Sequence, residues 1–123
     1  MEIIGIYNAY SGILGELKYT IGKIMDTTHC ALCDITHGWH PLGKAEWRQE
    51  IKRWGNLKNL HINDQPPEMK AITQGQTPCI VLAKQKHVEI IVTSQQLKAC
   101  DGNVQAMLNL IRDTLSQSVY LNQ

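Results

Sequence analysis

A dense group of thiol and imidazole side chains occupies residues 29–40 of this 123-residue chain. Two of the four cysteines, Cys30 and Cys33, are separated by two residues. Three of the five histidines lie beside them: His29, His37 and His40. A Cys-x-x-Cys spacing is typical of two kinds of site, a two-thiolate metal knuckle and a dithiol–disulfide redox pair. The group therefore leads to two chemical hypotheses.

The first hypothesis is a metal-binding protein with little or no catalytic activity. If the run that starts at Cys30 is helical, Cys33 and His37 lie on one face, because residues four apart are neighbours on a helix. Thiolate and imidazole ligands select zinc or copper(I), whereas calcium and magnesium prefer oxygen. Asp34 could orient a ligating imidazole through a hydrogen bond. The predicted ligands are Cys30, Cys33 and His37, with His29 or His40 as the fourth.

The second hypothesis is a thiol–disulfide oxidoreductase. Cys30 would be the nucleophile, because a helix N-terminus and a protonated His29 both lower the pKa of a thiol. Cys33 would then resolve the mixed disulfide. Cys79 follows Pro78 in the sequence, and the sequence leaves open whether Cys79 lies near the pair. The partner under this hypothesis is another thiol or disulfide protein.

The third hypothesis is a protein-interaction module whose cysteines only pack as small apolar side chains. We expect that packing role for Cys100 under all three hypotheses. Composition and charge do not choose among them. They do argue against other classes of function.

The net charge of +1 argues against a broad basic surface that binds nucleic acid. No stretch approaches 18 consecutive apolar residues, so we expect no membrane span. The early acidic residue Glu2 and the lack of a basic leader predict no signal peptide, and hence a cytoplasmic protein. Paired structural disulfides are unusual in that compartment. The sequence does not indicate an oligomeric state.

The hydrophobic pattern predicts the elements that must position this chemistry. β-Branched and aromatic runs predict strands at residues 3–7, 60–62, 79–83 and 88–92, the last two forming a hairpin with a turn at residues 86–87. Helical periodicity predicts helices at residues 11–25, 44–54 and 67–72, and a last helix capped by Asp101. The predicted order is β-α-insert-α-β-α-β-β-α in one domain, residues 1–123, with a Cys/His-rich insert at residues 27–43.

With the insert and the helix after it set aside, this order resembles the thioredoxin topology: a βαβ unit, a connecting helix, a hairpin and a closing helix. Thr77 and Pro78 precede the third predicted strand, where thioredoxin-like proteins carry a cis-proline beside the active site. The resemblance implies an α/β thioredoxin-like sandwich. In that family the Cys-x-x-Cys motif directly follows the first strand, and residues 7–12 hold no cysteine here. We therefore expect the pair to be displaced from the family's catalytic position.

The segment His-Cys-Ala-Leu-Cys-Asp-Ile-Thr-His, residues 29–37, is also similar to a segment shared by a group of small bacterial proteins. That resemblance covers the candidate site itself. It implies no mechanism, because it comes with no established function. The choice between metal binding and thiol–disulfide exchange therefore depends on how the structure arranges these residues.

Overall fold

A computed structural model of the chain describes residues 1–8, 30–38, 43–85 and 87–117. The predicted helix at residues 11–25 lies outside the described residues, as do His29 and His40. The described part is a mixed α/β fold. It contains a four-stranded mixed sheet and five α-helices.

The sheet has the strand order β2-β1-β3-β4. The first two strands are parallel, and β3 runs antiparallel to both of its neighbours, β1 and β4. The strands are β1 (Glu2–Ile6), β2 (Leu57–Leu60), β3 (Cys79–Lys84) and β4 (His87–Val92). The helices are α1 (Ala31–Thr36), α2 (Ala45–Trp54), α3 (Pro67–Thr73), α4 (Ser94–Ala99) and α5 (Val104–Gln117), and a short 3-10 helix spans Ile62–Asp64.

Two apolar clusters cover the two faces of the sheet. On β1, Ile3 belongs to one cluster, and Ile4 and Ile6 belong to the other, because successive side chains of a strand point to opposite faces. The first cluster joins the sheet to α1, α4 and α5. The second includes Met69 of α3. A central strand buried on both faces explains the nearly continuous apolar run of β1.

Several predicted elements are confirmed. Helix α2 ends at Gly55, whose φ of 75° is the left-handed conformation that favours glycine. Helix α3 begins at Pro67, a residue suited to the first turn of a helix. The antiparallel β3–β4 hairpin is also present. None of the described helices is both long enough and apolar enough to cross a membrane.

Three local predictions were wrong. The second strand is Leu57–Leu60 rather than residues 60–62. It ends at Leu60 because its partner β1 ends at Ile6 and only the Tyr7 N–H still reaches the Leu60 carbonyl. The fourth strand already includes His87, which pairs with Lys84. The cap of α5 is not Asp101. The Asn103 side chain accepts the Ala106 N–H at 2.9 Å there.

Helix α4 was not predicted. The sequence feature that marks its N-terminus is a capping box. The Thr93 side chain accepts the Gln96 N–H, and the Gln96 side chain accepts the Thr93 N–H. The helix is only six residues long. Too few apolar residues fall within it to produce a helical period.

Candidate functional site

Cys30 is the N-cap residue of α1, with extended backbone angles. Its sulfur accepts two backbone N–H groups, from Cys33 at 3.3 Å and from Asn8 at 3.4 Å. One donor belongs to α1 and the other to the chain just after β1, and both point at this sulfur.

Cys33 lies in the first turn of the same helix. Its sulfur is at disulfide-bonding distance from the sulfur of Cys30, and the two Cα atoms are 5.3 Å apart. Both side chains are shielded, with 1% of Cys30 and 9% of Cys33 exposed. The run after Cys30 is helical, which is the condition under which the sequence places these side chains together, and the two sulfurs lie at disulfide-bonding distance.

The pair lies next to the end of the first strand in space, although it is distant in the sequence. The expected displacement from the family's catalytic position stays a prediction. Cys30 lies 22 positions after Asn8 in the sequence, yet its sulfur accepts the Asn8 N–H. Asn8 is only two residues beyond Ile6, the last residue of β1. The pair therefore sits at the carboxyl end of β1, which the spacing along the sequence could not show.

The loop before β3 approaches the same point. The Thr77 hydroxyl donates to Asn8 Oδ1 at 3.0 Å. The Thr77–Pro78 peptide bond is cis, and Pro78 is buried. Asn8 thus contacts the Cys30 sulfur through its main chain and the Thr77 hydroxyl through its side chain.

Cys79 is separated from the pair by the sheet. It is fully buried in the cluster that contains Ile4, Ile6 and Met69, whereas Cys30 and Cys33 belong to the cluster on the other face. Burial raises the pKa of the Cys79 thiol to about 11. The structure therefore places Cys79 as a packing residue outside the candidate site.

Cys100 is buried on the same side of the sheet as the pair, at the end of α4. Its thiol donates to the Gln96 carbonyl at 3.4 Å, and burial raises its pKa. Asp34 lies in the first turn of α1, where its N–H donates to the Cys30 carbonyl. These contacts position α1 and α4 without adding a reactive group to the pair.

His37 ends α1 and takes part in a polar cluster that the sequence did not predict. Its Nδ1 lies 2.7 Å from the Thr36 hydroxyl and 3.3 Å from the Tyr7 hydroxyl. The Tyr7 ring contacts the ring of His37 and also that of His61, with centroids 5.8 Å and 5.4 Å apart. Burial, followed by the charge of His61, lowers the pKa of His37. His61 is also paired with Asp64, at 3.3 Å.

A weak sequence signal for this cluster existed. Tyr7 and His61 directly follow β1 and β2, and the carboxyl ends of parallel neighbouring strands lie at the same edge of a sheet. The sequence analysis missed that Tyr7 and His61 lie at the same edge of the sheet, because it placed His61 inside the second strand.

The predicted metal ligands come together only in part. Cys30 and Cys33 are adjacent, while the Nδ1 atom of His37 faces the Thr36 and Tyr7 hydroxyls. Within residues 1–8, 30–38, 43–85 and 87–117, no three His, Cys, Asp or Glu side chains form a group that could hold a metal ion. Because the other two predicted ligands lie outside these ranges, the zinc or copper(I) site stays a prediction.

Comparisons with known proteins add no assignment. No family model, no curated protein and no solved structure matches the chain.

Proposed function

We propose that this protein is a thiol–disulfide oxidoreductase of the thioredoxin-like class, with Cys30 as the nucleophile and Cys33 as the resolving thiol. The observation that carries the proposal is the Cys30 sulfur. It accepts two backbone N–H groups at a helix N-cap, next to a second thiol at disulfide-bonding distance. Such contacts lower the pKa of a thiol and supply the thiolate that exchange requires.

The fold supports the same proposal. In this proposal we assign the parallel strands β1 and β2 to the βαβ unit of the thioredoxin topology, β3 and β4 to its hairpin, and α5 to its closing helix. The pair follows β1 in space, and the Thr77–Pro78 loop lies beside Asn8. This is the arrangement that the resemblance implies for a catalytic Cys-x-x-Cys motif.

The proposed reaction transfers two electrons from the protein dithiol to a partner disulfide. The Cys30 thiolate forms a bond to one partner sulfur as the partner S–S bond breaks, and the other partner sulfur leaves as a thiolate. Cys33 loses its proton to solvent and attacks the Cys30 sulfur. The Cys30–Cys33 bond forms and the second partner thiolate leaves. The two partner thiolates take two protons from solvent.

The partner class is a protein or small molecule that carries an accessible disulfide. Because 1% of Cys30 is exposed, the groups that cover its sulfur must move aside for the partner to reach it. A cytoplasmic location is part of the proposal, since exchange rather than structural bridging is the usual role of a disulfide there.

The experiment is the pH dependence of alkylation of Cys30 in the reduced protein, followed by peptide mass spectrometry. We expect a thiol pKa well below ~8.5, the unperturbed value. The variant Cys33→Ser should keep the low pKa and form a stable mixed disulfide with glutathione. The variant Cys30→Ser should lose both properties. A Cys30 alkylation rate that falls steeply below pH 8 would refute the proposal.

The same preparation tests the metal hypothesis, which remains the second candidate because its two thiolate ligands are adjacent. Elemental analysis of protein purified without chelator, under reducing conditions, measures bound zinc and copper. About one equivalent of metal, lost in the double variant Cys30→Ser/Cys33→Ser, would favour a closed thiolate site over exchange chemistry. A metal-free protein with a reversible disulfide would favour the oxidoreductase.

A further inference from the structure

Helix α1 is held at both ends by two consecutive residues of the chain. At its N-terminus, the Asn8 N–H donates to the sulfur of the capping residue Cys30. At its C-terminus, the Tyr7 hydroxyl lies 2.9 Å from the Thr36 hydroxyl and 3.3 Å from His37 Nδ1. The end of β1 therefore fixes the helix against the sheet at two separate points.

The contact at the C-terminal end is shielded from water. The exposed fraction is 5% for Tyr7 and 0% for Thr36, so water replaces the lost contact poorly if the Tyr7 hydroxyl is removed. The Thr36 hydroxyl then keeps its 2.7 Å contact with His37 Nδ1, but the loss of a buried hydrogen bond costs free energy and the neighbouring groups shift. The Lys44 N–H donates to the Thr36 carbonyl at 2.8 Å, so the next segment of the chain contacts the same residue.

The helix is also short enough to move as a rod. Six residues at about 1.5 Å each make a helix of about 9 Å. A tilt that begins at Thr36 therefore changes the position of the Cys30 sulfur relative to its donor from the strand end, Asn8. The second donor, the Cys33 N–H, moves with the helix.

We propose that Tyr7 is a positioning residue for the redox pair, whose hydroxyl holds α1 in the orientation that keeps the Asn8 N–H on the Cys30 sulfur. This inference rests on the proposed function for its redox consequence. Its structural part, the link between the Tyr7 hydroxyl and the Asn8–Cys30 contact, does not depend on that function.

The test is the variant Tyr7→Phe, which keeps the ring contacts with His37 and His61 and removes only the hydroxyl. Loss of one hydrogen bond to the sulfur corresponds to about 0.5–1.5 kcal/mol, so we expect the Cys30 thiol pKa to rise and its alkylation rate, measured at a pH below the wild-type pKa, to fall about 2- to 10-fold. The variant Thr36→Val removes the hydroxyl on the other side of the contact and should have an effect in the same direction.

The matched control is Thr73→Val. Thr73 is a fully buried threonine of α3 whose hydroxyl donates to Gln65 Oε1. Its helix packs through Met69 on the opposite face of the sheet from α1, so this variant should lose stability without changing the pH profile of alkylation. An unchanged profile in Tyr7→Phe and Thr36→Val, or an equal change in Thr73→Val, would overturn the inference.

Amide hydrogen exchange separates this inference from the proposed function. In Tyr7→Phe the Asn8 amide should exchange faster than in the wild type and in Thr73→Val, whether or not the pair is redox-active. If the wild type shows no acidic thiol, the proposed function fails while the exchange result still decides the positioning role. If the Asn8 amide of Tyr7→Phe exchanges as slowly as it does in the wild type, Tyr7 does not have that positioning role.

Discussion

The cysteines of this chain differ in the hydrogen bonds and the burial of their sulfur atoms. The Cys30 sulfur accepts two main-chain N–H groups, whereas Cys79 lies among aliphatic side chains and Met69. Under the proposed function the first environment supplies hydrogen-bond donors to a thiolate, whereas burial raises the pKa of the Cys79 thiol. Sequence spacing identified Cys30 and Cys33 as a pair. It left Cys79 undecided, because the face of the sheet on which a residue lies depends on strand register.

We expect Cys79 to be unreactive in the folded protein. Its pKa of about 11 leaves about one thiolate in a thousand at pH 8, and the thiolate is the reactive form. Pulsed iodoacetamide labelling of the reduced native protein should therefore modify Cys30 well before Cys79. In urea the two should react at similar rates. Comparable native labelling rates would show that this thiol is not sequestered.

Elements with a strong internal pattern were predictable from the sequence. Helix α2 carries Trp47, Ile51 and Trp54 on one stripe, and a glycine ends it. The β3–β4 hairpin consists of two apolar runs close together in sequence. The position of the Cys30–Cys33 pair was not predictable, because the contact between Asn8 and Cys30 spans 22 positions and no local pattern reports it. The polar contacts of Tyr7 with Thr36 and His37 are equally non-local.

The packing of β1 against α1 depends on a glycine. A Cβ added at Gly5 would lie 2.5 Å from Asn59 Oδ1 on β2 and 3.0 Å from Leu32 Cδ2 on α1. We expect Gly5→Ala to lower the free energy of unfolding by about 1–3 kcal/mol, because overpacking forces neighbouring atoms to shift. Urea unfolding measures this change.

A second substitution checks the cause. Asn59 Oδ1 is buried and has no hydrogen-bond partner among the described residues, so removing that side chain relieves the nearer of the two clashes. Gly5→Ala/Asn59→Ala should therefore be more stable than the sum of the single effects predicts. Strict additivity would mean that the clash with Asn59 is not what destabilises Gly5→Ala.

The stability of the whole molecule should depend on pH through His37. Because burial lowers the pKa of this side chain in the folded state, the unfolded chain binds the proton more readily. Stability should then fall as the pH drops below the ordinary histidine value of 6.5, and level off below the folded-state pKa. Urea midpoints at pH 7 and pH 5 measure the loss.

The variant His37→Gln should show a smaller loss of stability over the same pH range, because it removes the group that takes up the proton on unfolding. His87→Gln on β4 is the control, since His87 is exposed and lies outside the cluster around Tyr7. An identical pH dependence in His37→Gln and the wild type would assign the acid sensitivity to other groups.

The contact between Asn8 and Cys30 has a consequence for which substitutions the strand end tolerates. The donor is a main-chain N–H group, which every residue except proline carries. A change of side chain at position 8 therefore removes the hydrogen bond with Thr77 but leaves the donor to the Cys30 sulfur in place. Proline at this position would remove the donor itself.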